Sequence, residues 1–423
     1  RKHMGKAGSG CHPGAVMRTM ITFASLFLSV ILLQLSNGGV GPLDAISGIT
    51  LDFTTAQVGL LGSAHYVGFF VGCWWAPRLM GSVGHSRAFA AFTAAGAIGL
   101  LAHMLVIDPY AWALMRVASG ICVAGCYTVV EAWLHAKVTN ATRGRTMGVY
   151  RVADMGASLV AQMLIGVLEP ASYISYNILA LLCCAALLPL TLTRVRQPET
   201  PAAPRLRPML AVQCSPLAAF GVVVAALSSA TFRMIGPVYG QQVGLELGQI
   251  AWFLAAFVLG GAVAQYPVGW LSDRYDRRHV LIWLSVAAVI SCGVTALSHG
   301  LPTWGIMTTA FFFGLTTFPI FSVSAAHAHD FADSRQRVEL SAALMFFFAV
   351  GAIAAPVLAS ALMAAFGPSS MFTMIAAGHV ALILFGLLRM RKRPTRARRT
   401  RYVWAPRTSF QIGRLTGQSR DDT

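Results

Sequence analysis

The stretch GWLSDRYDRRHVL, Gly269 to Leu281, places five charged residues (Asp273, Arg274, Asp276, Arg277 and Arg278) within six positions of a chain that is 56% hydrophobic and 11% charged. It is either a charged loop on a water-soluble surface or a short turn in water between two segments that cannot hold charge. The rest of the chain decides. Its mean hydropathy of +0.64 lies outside the range of soluble domains. Apolar runs of about 18 to 25 residues recur along it, each long enough to cross roughly 30 Å of hydrocarbon as a helix that satisfies its own backbone hydrogen bonds. Twelve such runs are read: 18–40, 57–77, 87–107, 111–135, 147–168, 171–193, 216–239, 249–271, 279–298, 302–328, 338–364 and 369–389. The quoted stretch is then the turn between the eighth and ninth crossings of an all-α integral membrane protein.

The first apolar run is too long for the core of a cleavable signal peptide and is read as an anchor. Cations gather in alternate connections: Arg78 and Arg87, then Lys137, Arg143 and Arg145, then Arg194, Arg196, Arg205 and Arg207, then Arg274, Arg277 and Arg278, then Arg335 and Arg337. The intervening connections are expected to hold Asp44, Asp52, Asp108, Glu169 and Glu246. This positive-inside pattern puts both termini in the cytoplasm, with the chain expected in a plasma membrane. Of the 32 Lys and Arg residues behind the net charge of +17, eleven follow Leu388. They form a basic tail that is expected to be disordered and drawn to anionic headgroups, and no nucleic-acid partner is expected. The eight cysteines form no CxxC pair and lie mostly within apolar runs, as small buried thiols do.

The chain divides into a cytoplasmic segment 1–16, a six-helix half 17–193, a Pro- and Arg-rich linker 194–215, a second six-helix half 216–389 and the tail 390–423. The halves echo each other. Gln57 and Gln249 open the second crossing of each half, and Arg143-x-Arg145 and Arg335-x-Arg337 precede the fifth, both at an offset of 192 residues. Gly41-Pro42 and Gly236-Pro237 are expected to close the first crossing of each half. Such duplication is a transporter architecture with its site at the midplane between halves.

The opening stretch resembles the signature of the major facilitator superfamily, G-x-x-x-D-[RK]-x-G-R-[RK], through Gly269, Asp273, Arg274, Arg277 and Arg278, with Asp276 at the second glycine. The matching turn of the first half, Pro77 to Arg87, has Gly81 in place of the acid. In the fourth crossing, Arg116, Gly120 and Gly125 of RVASGICVAG resemble the family's arginine- and glycine-rich motif. Together with GPVYGQQ and EAWL, these segments make the chain similar to a poorly characterised bacterial branch of that family. The resemblance implies a twelve-helix fold of two pseudo-symmetric halves and secondary active transport of a small molecule by alternating access.

Ionised groups at membrane depth cost about 2.5–3.5 kcal/mol each on insertion scales, so each marks a candidate site. Glu131 of the fourth crossing and Arg151 and Asp154 of the fifth fall at one depth. They are expected to cluster near the cytoplasmic mouth, where a carboxyl that loses its cation binds a proton more tightly; the alternative is a permanent interhelical ion pair. Arg116 and Arg233 sit at comparable outer depths, one per half, with no acid expected there, which would favour an anionic substrate. Gln34, Asn37, Tyr66, Gln162, Asn177, Gln265 and Tyr266 are candidate polar liners of the cavity. Asp273 is expected to latch onto the start of the fifth crossing near Thr146 when the cytoplasmic side closes. The HAHD run, His327 to Asp330, is read as a helix end rather than a metal site. No cofactor is expected, and the functional unit is read as a monomer. No phosphate-binding loop, zinc-protease or hydrolase-elbow motif points to an enzyme. The rival class is a non-transporting membrane sensor or scaffold that uses the basic tail.

Overall fold

A computed structural model describes residues 13–138, 143–192, 205–298, 300–333, 336–392, 400 and 402–410. Of the cations used above for orientation, Arg194, Arg196 and Arg335 lie outside these residues, as does Cys11. The described residues form helices α1 (Pro13–Thr50), α2 (Thr55–Val83), α3 (His85–Ala102), α4 (Pro109–Lys137), α5 (Arg143–Leu164), α6 (Tyr173–Ala185), α7 (Leu187–Thr191) and α8 (Pro208–Cys214). They continue with α9 (Pro216–Gln242), α10 (Leu247–Arg274), α11 (Arg277–Ala296), α12 (Thr303–Thr317), α13 (Ile320–His329), α14 (Arg337–Phe366) and α15 (Ser370–Lys392). Two crossings are broken, α6 with α7 and α12 with α13; the second break falls at Phe318-Pro319, where a proline cannot continue the hydrogen-bond ladder. Among the described residues nine crossings are long and apolar enough for a bilayer by composition alone. The other three, α2, α3 and α5, complete the twelve by packing along them, α2 and α3 on α4 and α5 on α1.

The turns are set by local chemistry. Thr54 caps α2 and Glu246 caps α10, each in a reciprocal box with the glutamine three residues on, Gln57 and Gln249. The two boxes are 192 residues apart, so the duplication read from the glutamines extends to the caps themselves. Close helix crossings repeat as well. In the first half Gly68 lies on the backbone of Val117, and a Cβ at Gly120 would meet Phe69 N at 2.5 Å. In the second half Gly260 lies on the backbone of Phe311 and Gly314 on that of Phe257. Only glycine lets α2 approach α4, and α10 approach α12, this closely.

Two expectations about the first crossing of each half are corrected. Pro42 and Pro237 lie inside α1 and α9 rather than at their ends. Neighbouring helices shield the backbone that each proline leaves without a donor, so the helix continues past it. In α1 it continues to Thr50 and takes Asp44 out of the connection and into the bundle, where it is fully buried.

The connections rich in cations define a basic end of the bundle and the others an acidic end. The halves press together toward the acidic end through α1 on α9, α2 on α14 and α5 on α10. Side chains added at Gly62 would meet Met234 and Pro356 at 2.9 Å, and the Ser63 hydroxyl donates to Ile353 O at 2.5 Å. Toward the basic end, residues 400 and 402–410 stand between them.

Gly120→Val is expected to lower the thermal unfolding midpoint in detergent by the equivalent of about 1–3 kcal/mol, the range for overpacking. Gly148→Ala, inside α5 where a Cβ meets nothing within 4 Å, should raise the midpoint slightly, by the equivalent of about 0.5–1 kcal/mol.

Candidate functional site

The charged turn of the opening stretch is a tight polar knot at the basic end. Arg277, 1% exposed, donates to Asp330 Oδ1 at 2.6 Å, Ala326 O at 2.9 Å and Ser272 Oγ at 3.2 Å, which ties the α10–α11 turn to the end of α13. Asp276 occupies the position where the family motif has glycine, and it caps α11. Its Oδ1 accepts from Arg278 N at 3.0 Å, and its Oδ2 accepts from Arg278 Nη2 at 2.8 Å. Gly269 faces the Tyr402 ring, and the Arg274 guanidinium lies 5.3 Å from the Trp270 ring centre. Asp273 does not reach α5: its Oδ1 accepts from Tyr402 N at 2.6 Å and Arg277 Nη2 at 3.3 Å. The HAHD run ends a helix as read, but its Asp330 joins the knot. Burial pushes the Asp330 carboxyl up, against the pull of Arg277. The described residues hold no group of three or more His, Cys, Asp or Glu side chains placed to bind a metal.

Further into the bundle, Arg151 and Asp154 pair at 3.3 Å, both 7% exposed. Tyr127 donates to Asp154 Oδ1 at 2.6 Å and lies 2.7 Å from Gln34 Oε1, so α1, α4 and α5 share one polar cluster. Glu131, fully buried, makes no ion pair with Arg151 among the described residues. Its carboxylate accepts from the Tyr150 hydroxyl at 3.0 Å and from the hydroxyls of Thr408 and Ser409. Gln162 donates to Gly38 O at 3.2 Å, and Gln265 accepts from the Tyr402 hydroxyl at 3.0 Å. Asn37, Tyr66 and Asn177 are half-buried, whereas Tyr266 is 86% exposed on the outside of the bundle and lines no cavity.

Toward the acidic end the expectation of an unbalanced cation fails. Arg116, 1% exposed, lies 3.4 Å from Asp44 Oδ2. Tyr176 donates to the other oxygen of Asp44 at 2.8 Å, and His103 Nε2 lies 3.5 Å from Asp44. Arg233 is half-buried, its guanidinium 6.0 Å from the Phe318 ring centre.

The tail is the largest departure from the sequence reading. Residues 402–410, expected to be disordered, thread between the halves, with Ser409 and Phe410 buried. Arg407 donates to Ser229 Oγ at 3.1 Å, and its guanidinium lies 4.7 Å, 5.2 Å and 5.6 Å from the ring centres of Phe318, Phe348 and Phe321. Burial, then nearby Arg233, pulls that guanidinium down to about 9, so it stays protonated at neutral pH.

The arrangement is two halves in direct contact toward the acidic end and bridged by residues 400 and 402–410 toward the basic end, where charged and polar side chains of both halves meet that segment. The family model of the Major Facilitator Superfamily matches residues 26–216 and 218–416. The chain belongs to this family. An uncharacterized MFS-type transporter of Yersinia enterocolitica is 25% identical over 79% of this chain and 86% of its own length. One from Enterobacter sp. strain 638 is 26% identical over 81% and 88%. Among solved structures, a point mutant of the nucleoside transporter NupG superposes with a TM-score of 0.74 at 15% identity over 88% of this chain and all of that one. A bacterial homolog of the human lysosomal transporter Spinster, inward-facing and unoccupied, superposes with a TM-score of 0.72 at 13% identity over 95% and 97%. At such identities the last two show the fold alone.

The chain is therefore an integral membrane transporter and not an enzyme. Sequence reading of this major facilitator missed the tyrosines that hold its carboxylates, Tyr127, Tyr150 and Tyr176, and it missed Asp44, Thr408 and Ser409. A signal existed for one tyrosine: Tyr127 lies four residues before Glu131 on one face of α4, although its hydroxyl goes to Asp154 and it is Tyr150 that reaches Glu131. None existed for the tail: the partners described for residues 400 and 402–410 lie far away in the chain.

Removing Asp44 strands a buried guanidinium. Asp44→Ala is expected to destabilise the transporter by about 3–5 kcal/mol, the range for breaking a buried pair. Tyr176→Phe removes one hydrogen bond and should cost about 1 kcal/mol. Thermal denaturation of the two purified variants checks the ranking.

Proposed function

We propose that this major facilitator is a secondary active transporter that moves a small solute across a bacterial inner membrane by alternating access. Its halves, 17–193 and 216–389, rock about the cleft between them. The basic end is the cytoplasmic one and carries both termini, in keeping with the positive-inside rule. The seal between the halves toward the acidic end, around Gly62, Ser63, Met234 and Pro356, is the observation that carries the reading. It makes the described conformation inward-facing, with the cleft directed toward the cytoplasm.

Glu131 and Asp154 are the coupling groups of this reading, and they divide the work. Asp154 holds Arg151 at 3.3 Å, so a proton on Asp154 removes the charge that holds the guanidinium and frees it to move. Glu131 is held by hydroxyls, which it can exchange for those of a cargo. Gln34, Gln162 and Gln265 supply neutral hydrogen-bonding groups around the same cleft. With Arg116 balanced by Asp44, Arg233 alone remains to favour an anion, so the cleft is not specialised for anionic cargo. In the outward-facing state the gate residues Asp273, Arg274, Arg277 and Arg278 close the cytoplasmic side, with Asp273 at the start of α5. The basic residues that follow α15 are rich enough in arginine to attract anionic lipid where they meet the membrane surface.

Proteoliposomes given an inside-acid or inside-alkaline gradient and a panel of organic anions, sugars and organic cations test the coupling. Gradient-driven accumulation of at least one class is expected. It should fall at least tenfold in Glu131→Gln and Asp154→Asn, with exchange at equal pH retained. Equal uptake with and without the gradient across the panel would remove proton coupling from the account.

A further inference from the structure

The stretch YVWAPRTSF, Tyr402 to Phe410, matches the groups around it one by one. Thr400 N donates to Asp330 Oδ1 at 2.8 Å, its hydroxyl donates to the same oxygen at 2.9 Å, and its carbonyl accepts from Arg277. Tyr402 gives its backbone N–H to Asp273 and its hydroxyl to Gln265. The Trp404 ring centre lies 4.6 Å from the Arg151 guanidinium. Arg407 is set among three phenyl faces, within the roughly 6 Å over which a ring attracts a cation. Thr408 and Ser409 donate to the two oxygens of Glu131, and the Phe410 ring packs 6.1 Å from that of Phe70. A segment lying passively in a crevice would not pair cation with aromatic face, hydroxyl with carboxylate and backbone N–H with acid along its whole length.

These contacts fall on both halves. Glu131, Arg151 and Phe70 belong to the first; Ser229, Gln265, Asp273, Arg277, Phe318 and Asp330 belong to the second. The cleft cannot close toward the cytoplasm while the segment bridges it. The segment also takes up Asp273, the acid that would otherwise be available to α5 as a latch.

We propose that residues 400 and 402–410 are a tethered ligand of the central cleft, occupying the place of cargo, bridging the two halves and holding the transporter inward-facing until they are displaced. The proposal rests on the reading of that cleft as the cargo site. Residues 393–399 join the segment to the end of α15, and so short a tether gives an effective concentration of order mM, enough for modest intrinsic affinity to keep the cleft filled. A ligand that binds one conformation and not the other shifts the population toward the one it binds. Cargo and tail then compete. Whatever draws the basic tail away relieves the block.

Two measurements on the full chain in membranes test this, neither of which depends on flux. With the photoreactive p-benzoylphenylalanine at position 410, illumination should give an adduct on α2 near Phe70, mapped by mass spectrometry. Adducts with lipid alone would overturn the proposal. In a Cys11→Ser, Cys184→Ser background, a cysteine introduced by Ser229→Cys lies beneath Arg407 and should react slowly with a water-soluble maleimide. Thr408→Asp with Ser409→Asp sets two carboxylates against Glu131 and should speed that reaction at least tenfold; the synthetic nonapeptide YVWAPRTSF at mM concentration should slow it again. Equal rates in both backgrounds would overturn the proposal; the photoadduct, read with Thr408 and Ser409 unchanged, does not depend on how the double variant folds. Faster maleimide reaction with unchanged flux would instead keep the tail as a ligand and show that the cleft is not the cargo path.

Discussion

Hydrocarbon cannot solvate an ion, and the organisation of this transporter follows from that constraint. Each charge admitted to the bundle is placed against a partner that substitutes for water. Asp44 has Arg116, Tyr176 and His103; Asp154 has Arg151 and Tyr127; Glu131 has three hydroxyls; Arg277 has two carbonyls, a serine, a threonine and two aspartates. The partners differ in what they allow. The Asp44 cluster is buried at the acidic end, where Arg116 Nη2 also lies 3.9 Å from Met234 Sδ of the second half, and works as structure beside the seal. The Glu131 and Asp154 clusters open onto the cleft, and part of what Glu131 holds comes from a segment that can leave.

The same constraint explains what was legible in the sequence. The twelve crossings could be read because charge is excluded from them, and the two-half organisation because the duplication preserved Gln57 and Gln249 at one offset. The structure extends the echo to features no hydropathy count reveals, such as the glycine contacts of α2 on α4 and α10 on α12. Arg151 and Asp154 could be paired from their spacing alone, since positions three apart share a helical face.

What was not legible has physical causes. Proline is a strong stop signal in water, so Gly41-Pro42 was read as an end; inside a bundle its lost hydrogen bond is sheltered, and α1 carries Asp44 on to meet Arg116. Tyr127, Tyr150 and Tyr176 count as apolar in a hydropathy profile, yet their hydroxyls hold the buried acids. The tail was misread because composition describes only its average. A run so rich in arginine reads as solvated, whereas Tyr402, Trp404 and Phe410 bury against the bundle, and Arg407 finds three aromatic rings instead of water.

The central claim is that the segment between the halves sets which end is open. Spin labels on α5 at position 145 and after α10 at position 275, in a Cys11→Ser, Cys184→Ser background, report the width of the cytoplasmic side by electron–electron distance. With the native tail the account expects a single long-distance population; with Thr408→Asp and Ser409→Asp it expects a second, shorter one to appear. A distribution that is the same in both would contradict it.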